Sequence, residues 1–186
     1  MTLVKIKTIA LLGLMLGISY LSYAQTYIGK GLKVSLFSST PIEDIRASSN
    51  AANAVMLLPK QELNIQIPIK SFEFEKKLMQ EHFNENYMES DKYPIAKFKG
   101  SIEPLIDWTK DGDYTVSAKG ILSVHGVDVA RTIAGKINIK NGVISISSNF
   151  DVTCAVHHIE IPKLVFTKIA EIIKVSFQGT LSPLKK

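Results

Sequence analysis

From Lys33 to the end the chain alternates apolar and polar residues, and that period of two constrains it more than any other feature. Leu63, Ile65, Ile67 and Ile69 share one phase, with Glu62, Asn64, Gln66 and Pro68 in the other. Ala96, Phe98, Gly100 and Ile102 repeat the pattern. So do Tyr114, Val116, Ala118, Gly120, Leu122 and Val124, where Ile121 is the one exception in the opposing phase. Ile133, Gly135, Ile137 and Ile139 follow, then Ile144, Ile146, Phe150, Val152 and Cys154, and last Ile173, Val175, Phe177 and Leu181. Such alternation is the mark of strands with one face in a core. Weaker strand signals lie at Lys33–Ser39, Ile42–Ser48 and near Val55–Leu58. Asn141-Gly142 predicts a two-residue hairpin turn, because both positions tolerate positive φ. Asp111-Gly112 is a second turn signal.

Helical pattern is scarce. Glu75–Phe83 predicts one short helix with Leu78, Met79 and Phe83 on one side. Pro162–Ala170 predicts another, with proline suited to a first turn. Two short helices cannot cover the apolar faces of about eight strands. Those faces must cover each other, in a sandwich or a closed antiparallel barrel. Ala96, Gly100, Ala118, Gly120, Gly135 and Gly179 all fall in the inward phase. Side chains this small would leave space inside a barrel, and an eight-stranded barrel can hold one small ligand. The same glycines could instead mark strand bends. Neither linker nor repeat divides the chain, so residues 25–186 read as one domain.

Residues 1–24 are set apart. Lys5 and Lys7 precede an apolar run from Ile9 to Tyr20, and Ser22-Tyr23-Ala24 offers small residues at the two key positions before a cleavage point. This predicts a signal peptide cleaved after Ala24, and a periplasmic or secreted mature chain. An uncleaved anchor is the alternative. Losing the two leader lysines lowers the net charge from +5 to +3. With no basic run longer than two, nucleic acid is not an expected partner. The single cysteine, Cys154, leaves stability to packing, since no intramolecular disulfide can form.

Signs of catalysis are thin. No nucleophile elbow, phosphate loop or dinucleotide fingerprint occurs. His157 and His158 are adjacent on an extended segment, so their rings point apart and suit no shared metal. His82 has no second ligand at helical spacing. His125, before Gly126, reads as a turn histidine bonded to backbone. Cys154 sits in the inward phase between Val152 and Val156, the setting of an inert thiol. Glu89 and Asp91 carry no spacing that selects acid–base work over solvation. The expected class is a non-enzyme with no required cofactor and no metal. A hydrolase using His125 or His82 is the minor alternative.

The segment SFEFEKKLMQEHFNENYMESDKYPIAKFKG, Ser71 to Gly100, resembles the YceI-like family, the polyisoprenoid-binding proteins of bacteria. The family pattern there is an extended Ser-Phe-x-Phe, a short helix, and a tract ending in Tyr-Pro and a Phe-bearing strand. AKGILSVHGVDVART, Ala118 to Thr132, is similar to a second family signature, a strand ending in a His-Gly turn. SSNFDV and IEIPKLV resemble the later part, so the likeness covers roughly residues 27–182. The chain departs from the family at Glu81-His82-Phe83-Asn84, where better-known members often carry an Arg-Asp-x-His-like segment.

The resemblance implies an all-β, lipocalin-like antiparallel barrel of about eight strands with one or two short helices. It also implies export, and an apolar pocket for a long isoprenoid or quinone-type lipid held for carriage, storage or sequestration. A hydrophobic lipid would be the partner, with transient membrane contact. On that resemblance Phe72, Phe74, Leu78, Met79, Phe83, Tyr87, Met88 and Tyr93 are candidate lid and pocket residues. Phe98, Leu122, Phe150 and Phe177 are candidates deeper in the pocket. His82, Asn84 and His125 are candidate headgroup contacts. The segment Glu75–Pro94 then reads as a lid or mouth element, in which flexible methionines suit a flexible tail. The bland alternative is a crossover whose aromatics complete the core of a secreted structural or interaction protein.

Overall fold

A computed structural model describes residues 26–162 and 168–184. The expected signal peptide lies outside the described residues, and so does most of the expected second helix. Nine strands occur in this span: β1 Thr26–Ser39, β2 Asp44–Leu57, β3 Glu62–Pro68, β4 Glu73–Phe74, β5 Ile95–Glu103, β6 Gly112–Val124, β7 Val127–Lys140, β8 Val143–Thr153 and β9 Ile172–Pro183. One short helix, α1 Lys77–His82, runs into a wider turn over Phe83–Tyr87.

Eight strands pair in the order β1-β9-β8-β7-β6-β5-β3-β2, and β1 pairs with β2 to close the ring. Every ladder is antiparallel, and β4 adds a short pairing on β2. The fold is therefore the expected closed eight-stranded barrel. Closure joins the two outer strands, β1 and β2, that would be the edges of a flat sheet. The two early strands are longer than the sequence pattern suggested: β1 and β2 pair over almost their whole lengths, with irregularities where Gly29, Leu32 and Val34 slip register.

Two tight turns share one geometry. Asn141 and Gly142 have φ of 52° and 72°; His125 and Gly126 have 52° and 74°. Both join strands through two left-handed residues, as type I′ hairpins require.

The inward glycines do not open the interior in the way the sequence suggested. Gly100 and Gly120 face each other across β5 and β6. A Cβ on Gly100 would lie 2.6 Å from the Lys119 carbonyl oxygen, so the backbones themselves occupy that space. Gly179 is covered by the Leu32 side chain, which enters from the irregular stretch of β1. These glycines serve close approach. Ala96, Ala118 and Gly135 do border the interior space.

The barrel has two unlike ends. At the floor, Met56, Ala52, Leu181 and Ile144 are buried to within 1 %. Gln61 seals the bottom: its amide nitrogen donates to the Ile102 carbonyl, and its Oε1 accepts from the Ile106 N–H at 2.7 Å. At the other end two ladders stop early. β2 pairs with β3 only over Asn53–Leu57, and β7 pairs with β8 only over Gly135–Lys140. Past those points the strands part and the barrel flares. The first gap is filled by β4 and by a Ser49–Ser71 hydroxyl pair at 2.6 Å. The second is filled by a single 3-10 turn, Ala155–His157, that buries His157 completely. Arg131 spans this seam, donating to the Asp151 carbonyl at 2.9 Å.

Candidate functional site

The flared end is hollow. A cavity of about 160 Å³ lies under the Phe83–Tyr87 turn, and a smaller one of about 90 Å³ lies below it. Six side chains border both: Val34, Ile67, Ala96, Leu122, Phe150 and Val175. They form a waist between an upper and a lower chamber. Each comes from the inward phase of a strand, which is why the walls present almost no polar surface. Apolar hollows of this kind hold no ordered water and favour apolar guests.

Three phenylalanines build one side of the upper chamber. The Phe83 ring packs edge-on to Phe72 with centroids 5.6 Å apart, and tilted against Phe74 at 4.9 Å. Tyr87 and Met88 continue that wall. Burial pushes the Tyr87 phenol above its ordinary range. Of the candidates from the sequence, Phe72, Phe74, Phe83, Tyr87, Met88, Leu122 and Phe150 border the upper chamber. Phe98 and Phe177 border the lower one, again with Leu122 and Phe150.

Four candidates lie elsewhere. Leu78 is 61 % exposed and faces solvent. The expectation that it shares a face with Phe83 fails because five residues of helix turn through about 140° from alignment, and because the helix widens at Phe83. Met79 is half-buried beside the cavity without bordering it. Tyr93 lies against the β6–β7 turn, its ring 4.6 Å from that of His125 and directly over Gly126. His82 is exposed on α1.

The remaining polar candidates are engaged locally. The Asn84 amide donates to the Gln80 carbonyl at 3.0 Å, and its Oδ1 is buried with no partner among the described residues. His125 places Nε2 2.8 Å from Glu89 Oε2 and Nδ1 3.1 Å from the His157 carbonyl oxygen. Neither Asn84 nor His125 borders the hollow.

Sequence reasoning missed a second wall. Leu36 and Ile45, at the ends of β1 and β2, border the upper chamber, as do Ile159, Ile161 and Ile169 of the β8–β9 connection. The connection has no regular period, so alternation could not assign those isoleucines a direction. Their one visible signal was an excess of isoleucine in a non-strand segment. Ser38 supplies a rare polar atom there, and its hydroxyl accepts from the Ala170 N–H at 2.8 Å.

The chemistry available is slight. Cys154 borders the upper chamber, and burial pushes its thiol above the usual range, so it stays protonated and unreactive. Burial pushes the buried His157 the other way, towards its neutral form. Among the described residues no three histidine, cysteine, aspartate or glutamate side chains group as a metal site.

A sequence profile of the YceI-like domain matches residues 33–181. The fold is similar to that of a polyisoprenoid binding domain from Saccharophagus degradans, implicated in plant cell wall breakdown. The two are 13 % identical, with a TM-score of 0.73 over 87 % of this chain and 100 % of that one. BcnA from Burkholderia cenocepacia is similar at 16 % identity, with a TM-score of 0.67 over 80 % of this chain and 95 % of that one. The YceI protein of Campylobacter jejuni, which crystallizes with large solvent channels, is 15 % identical, with a TM-score of 0.59 over 75 % and 85 %. No functionally curated protein matches the chain.

Proposed function

The chain belongs to the YceI-like family, and from that premise we propose that it is an exported lipid-binding protein that holds a long isoprenoid or quinone-type lipid in its barrel. The observation that carries this reading is the two-chambered hollow, walled by apolar side chains and covered by the Phe83–Met88 segment. The name of the Saccharophagus domain supports the ligand class.

Energetics favour carriage over irreversible capture. Each methylene removed from water is worth about 0.8 kcal/mol, so a long tail is nearly insoluble alone. In a bilayer the same tail is already dry. Exchange between membrane and pocket is then close to balanced, as a carrier requires. Size adds a condition. An engineered cavity of about 150 Å³ takes a single benzene ring, and the upper chamber is of that order at about 160 Å³. A long tail therefore enters only if the covering segment and the waist side chains shift. Phe150 and Met88 stand where such movement would be needed.

Binding is a better reading than catalysis because Cys154 is held as a thiol and His125 is occupied by two acceptors. A structural role with a filled core suits only the floor half of the barrel.

Native mass spectrometry and organic extraction of the protein purified from its own cells should recover an isoprenoid lipid. The empty protein should raise the fluorescence of all-trans-retinol, an isoprenoid probe. If no lipid is recovered and no retinol is taken up, the proposal fails. For export, the N-terminus of the processed protein should be Gln25; a full-length chain confined to the cytosol would refute that part.

A further inference from the structure

We propose that His125 is a proton-operated latch that holds the mouth of the barrel shut. Its side chain is only 9 % exposed and lies between two elements that wall the upper chamber. One is the covering segment, which reaches His125 through Glu89, the residue after Met88. The other is the β8–β9 connection, which reaches it through the His157 carbonyl, between the cavity residues Cys154 and Ile159. Opening the mouth by moving one wall from the other must break this clasp.

The clasp requires a proton. Both ring nitrogens face oxygen acceptors, a carboxylate at 2.8 Å and a backbone carbonyl at 3.1 Å. A neutral imidazole carries one N–H and one lone pair. In either tautomer one nitrogen would turn its lone pair on an oxygen. Only the imidazolium donates to both. Histidine is the side chain that ordinarily gains or loses a proton between about pH 5 and 8, so the test spans that range.

The surroundings fix which group switches. Lys92 Nζ lies 3.7 Å from the other Glu89 oxygen. Tyr93 stacks edge-on against the His125 ring and offers it no acceptor. From the β8–β9 connection His157 faces it, but full burial keeps that ring neutral. On β7, Arg131 is turned to the Asp151 carbonyl. Glu89 itself has φ 42°, and its carbonyl is held in a turn by the Lys92 and Tyr93 N–H groups. The mouth is thus closed in acid and freed as pH rises. Its effect on lipid release rests on the lipid-binding reading; the latch itself does not.

The test uses the empty, full-length mature protein. Nitrogen-15 spectra should show both His125 ring nitrogens protonated at pH 5.5. Amide exchange at Met88 and Ile159, corrected for intrinsic base catalysis, should report mouth opening that rises about tenfold or more by pH 8, the order expected for one charge-assisted hydrogen bond. Glu89→Gln should remove that rise, since its amide can donate to the bare nitrogen of a neutral ring. His125→Asn keeps the left-handed Asx-Gly turn already used at Asn141-Gly142, and should open to the high level at every pH. One bare ring nitrogen at pH 5.5, or the same pH response in wild type and Glu89→Gln, would overturn the latch. A second arm follows all-trans-retinol dissociation, which should rank the variants in the same order. Retinol dissociation that ignored pH in all three would overturn control of release. If the exchange results hold but retinol never binds, the latch stands and the lipid reading falls.

Discussion

The floor and the mouth of this barrel are made from the same kinds of strand and reach opposite outcomes. At the floor the ladders are complete, Gln61 satisfies the backbone groups of the closing loop, and Met56, Ala52 and Leu181 have no exposed surface. At the mouth the β2–β3 and β7–β8 ladders have ended, the strands splay, and equally apolar side chains fail to meet. Hollowness here follows from where pairing stops, and small side chains contribute less. A barrel can therefore fold on one half and bind with the other.

Truncation should separate the halves most sharply. Leu181→Ala and Met56→Ala delete fully packed side chains and should each cost about 2–5 kcal/mol in urea denaturation, the usual range for large-to-alanine changes in a core. Phe83→Ala, in the mouth, should cost much less, mainly the ring pairing of about 1 kcal/mol, because its far side already faces a void. Equal losses at the two ends would mean the hollow is not there.

Enlargement should likewise be tolerated better in the mouth. In a solid core extra methylenes cost about 1–3 kcal/mol. Ala96→Leu points into both chambers and should cost under about 1 kcal/mol while abolishing retinol uptake. Uptake that persisted would place the lipid outside the waist.

The ends should also titrate in different windows. Burial lowers the tendency of His157 to take a proton below that of a free histidine, whose ordinary value is 6.5. The unfolded chain then binds the proton first. The stability this group contributes is complete above about pH 6.5 and drains away as the pH falls, by at most about 1.4 kcal/mol per pH unit. The difference in stability between wild type and His157→Phe, read from melting curves, should show this decline between pH 8 and 5, since the His125 clasp is common to both. At the floor, Asp107 is held below its ordinary 3.8, first by the Thr109 hydroxyl and then by the Thr109 N–H. Its contribution is present above that value and is lost only in strong acid, so Asp107→Asn should lower stability slightly and evenly across the neutral range and leave the slope between pH 5 and 8 unchanged.

The smallest effect concerns Cys154. Its protonated, buried thiol should react slowly with a disulfide reagent, and more slowly when retinol is bound. Labelling at the rate of a free cysteine would mean that the mouth stands open.

Alternation along β3 and β5 to β9 identified the inward set, down to Ile121 as the outward exception, which is 42 % exposed. The Asn141-Gly142 hairpin was also readable, because that pair carries its left-handed conformation locally; the Asp111-Gly112 signal falls instead where β6 begins, and His125-Gly126 was read as a turn without its hand. The lid residues were read less well. Phe83, Tyr87 and Met88 border the hollow, whereas Leu78 and Tyr93 do not, because the helix widens at Phe83 and Tyr93 is drawn onto Gly126. Ile159, Ile161 and Ile169 of the β8–β9 connection were invisible, since the sequence around them has no period to reveal a face.

What the sequence pattern determined by itself is an all-β chain whose apolar strand faces cover one another, and the family resemblance chose the barrel over the sandwich. A strand's two faces are set by neighbouring residues, and a run of apolar phases must be covered by its own kind. What only the tertiary structure decided is where that barrel is empty and what clasps it. A gap depends on where two distant ladders cease to pair, and the His125 clasp depends on Glu89 and His157, residues 36 and 32 positions away, arriving at one ring. Such meetings are products of closure, and no local pattern encodes them.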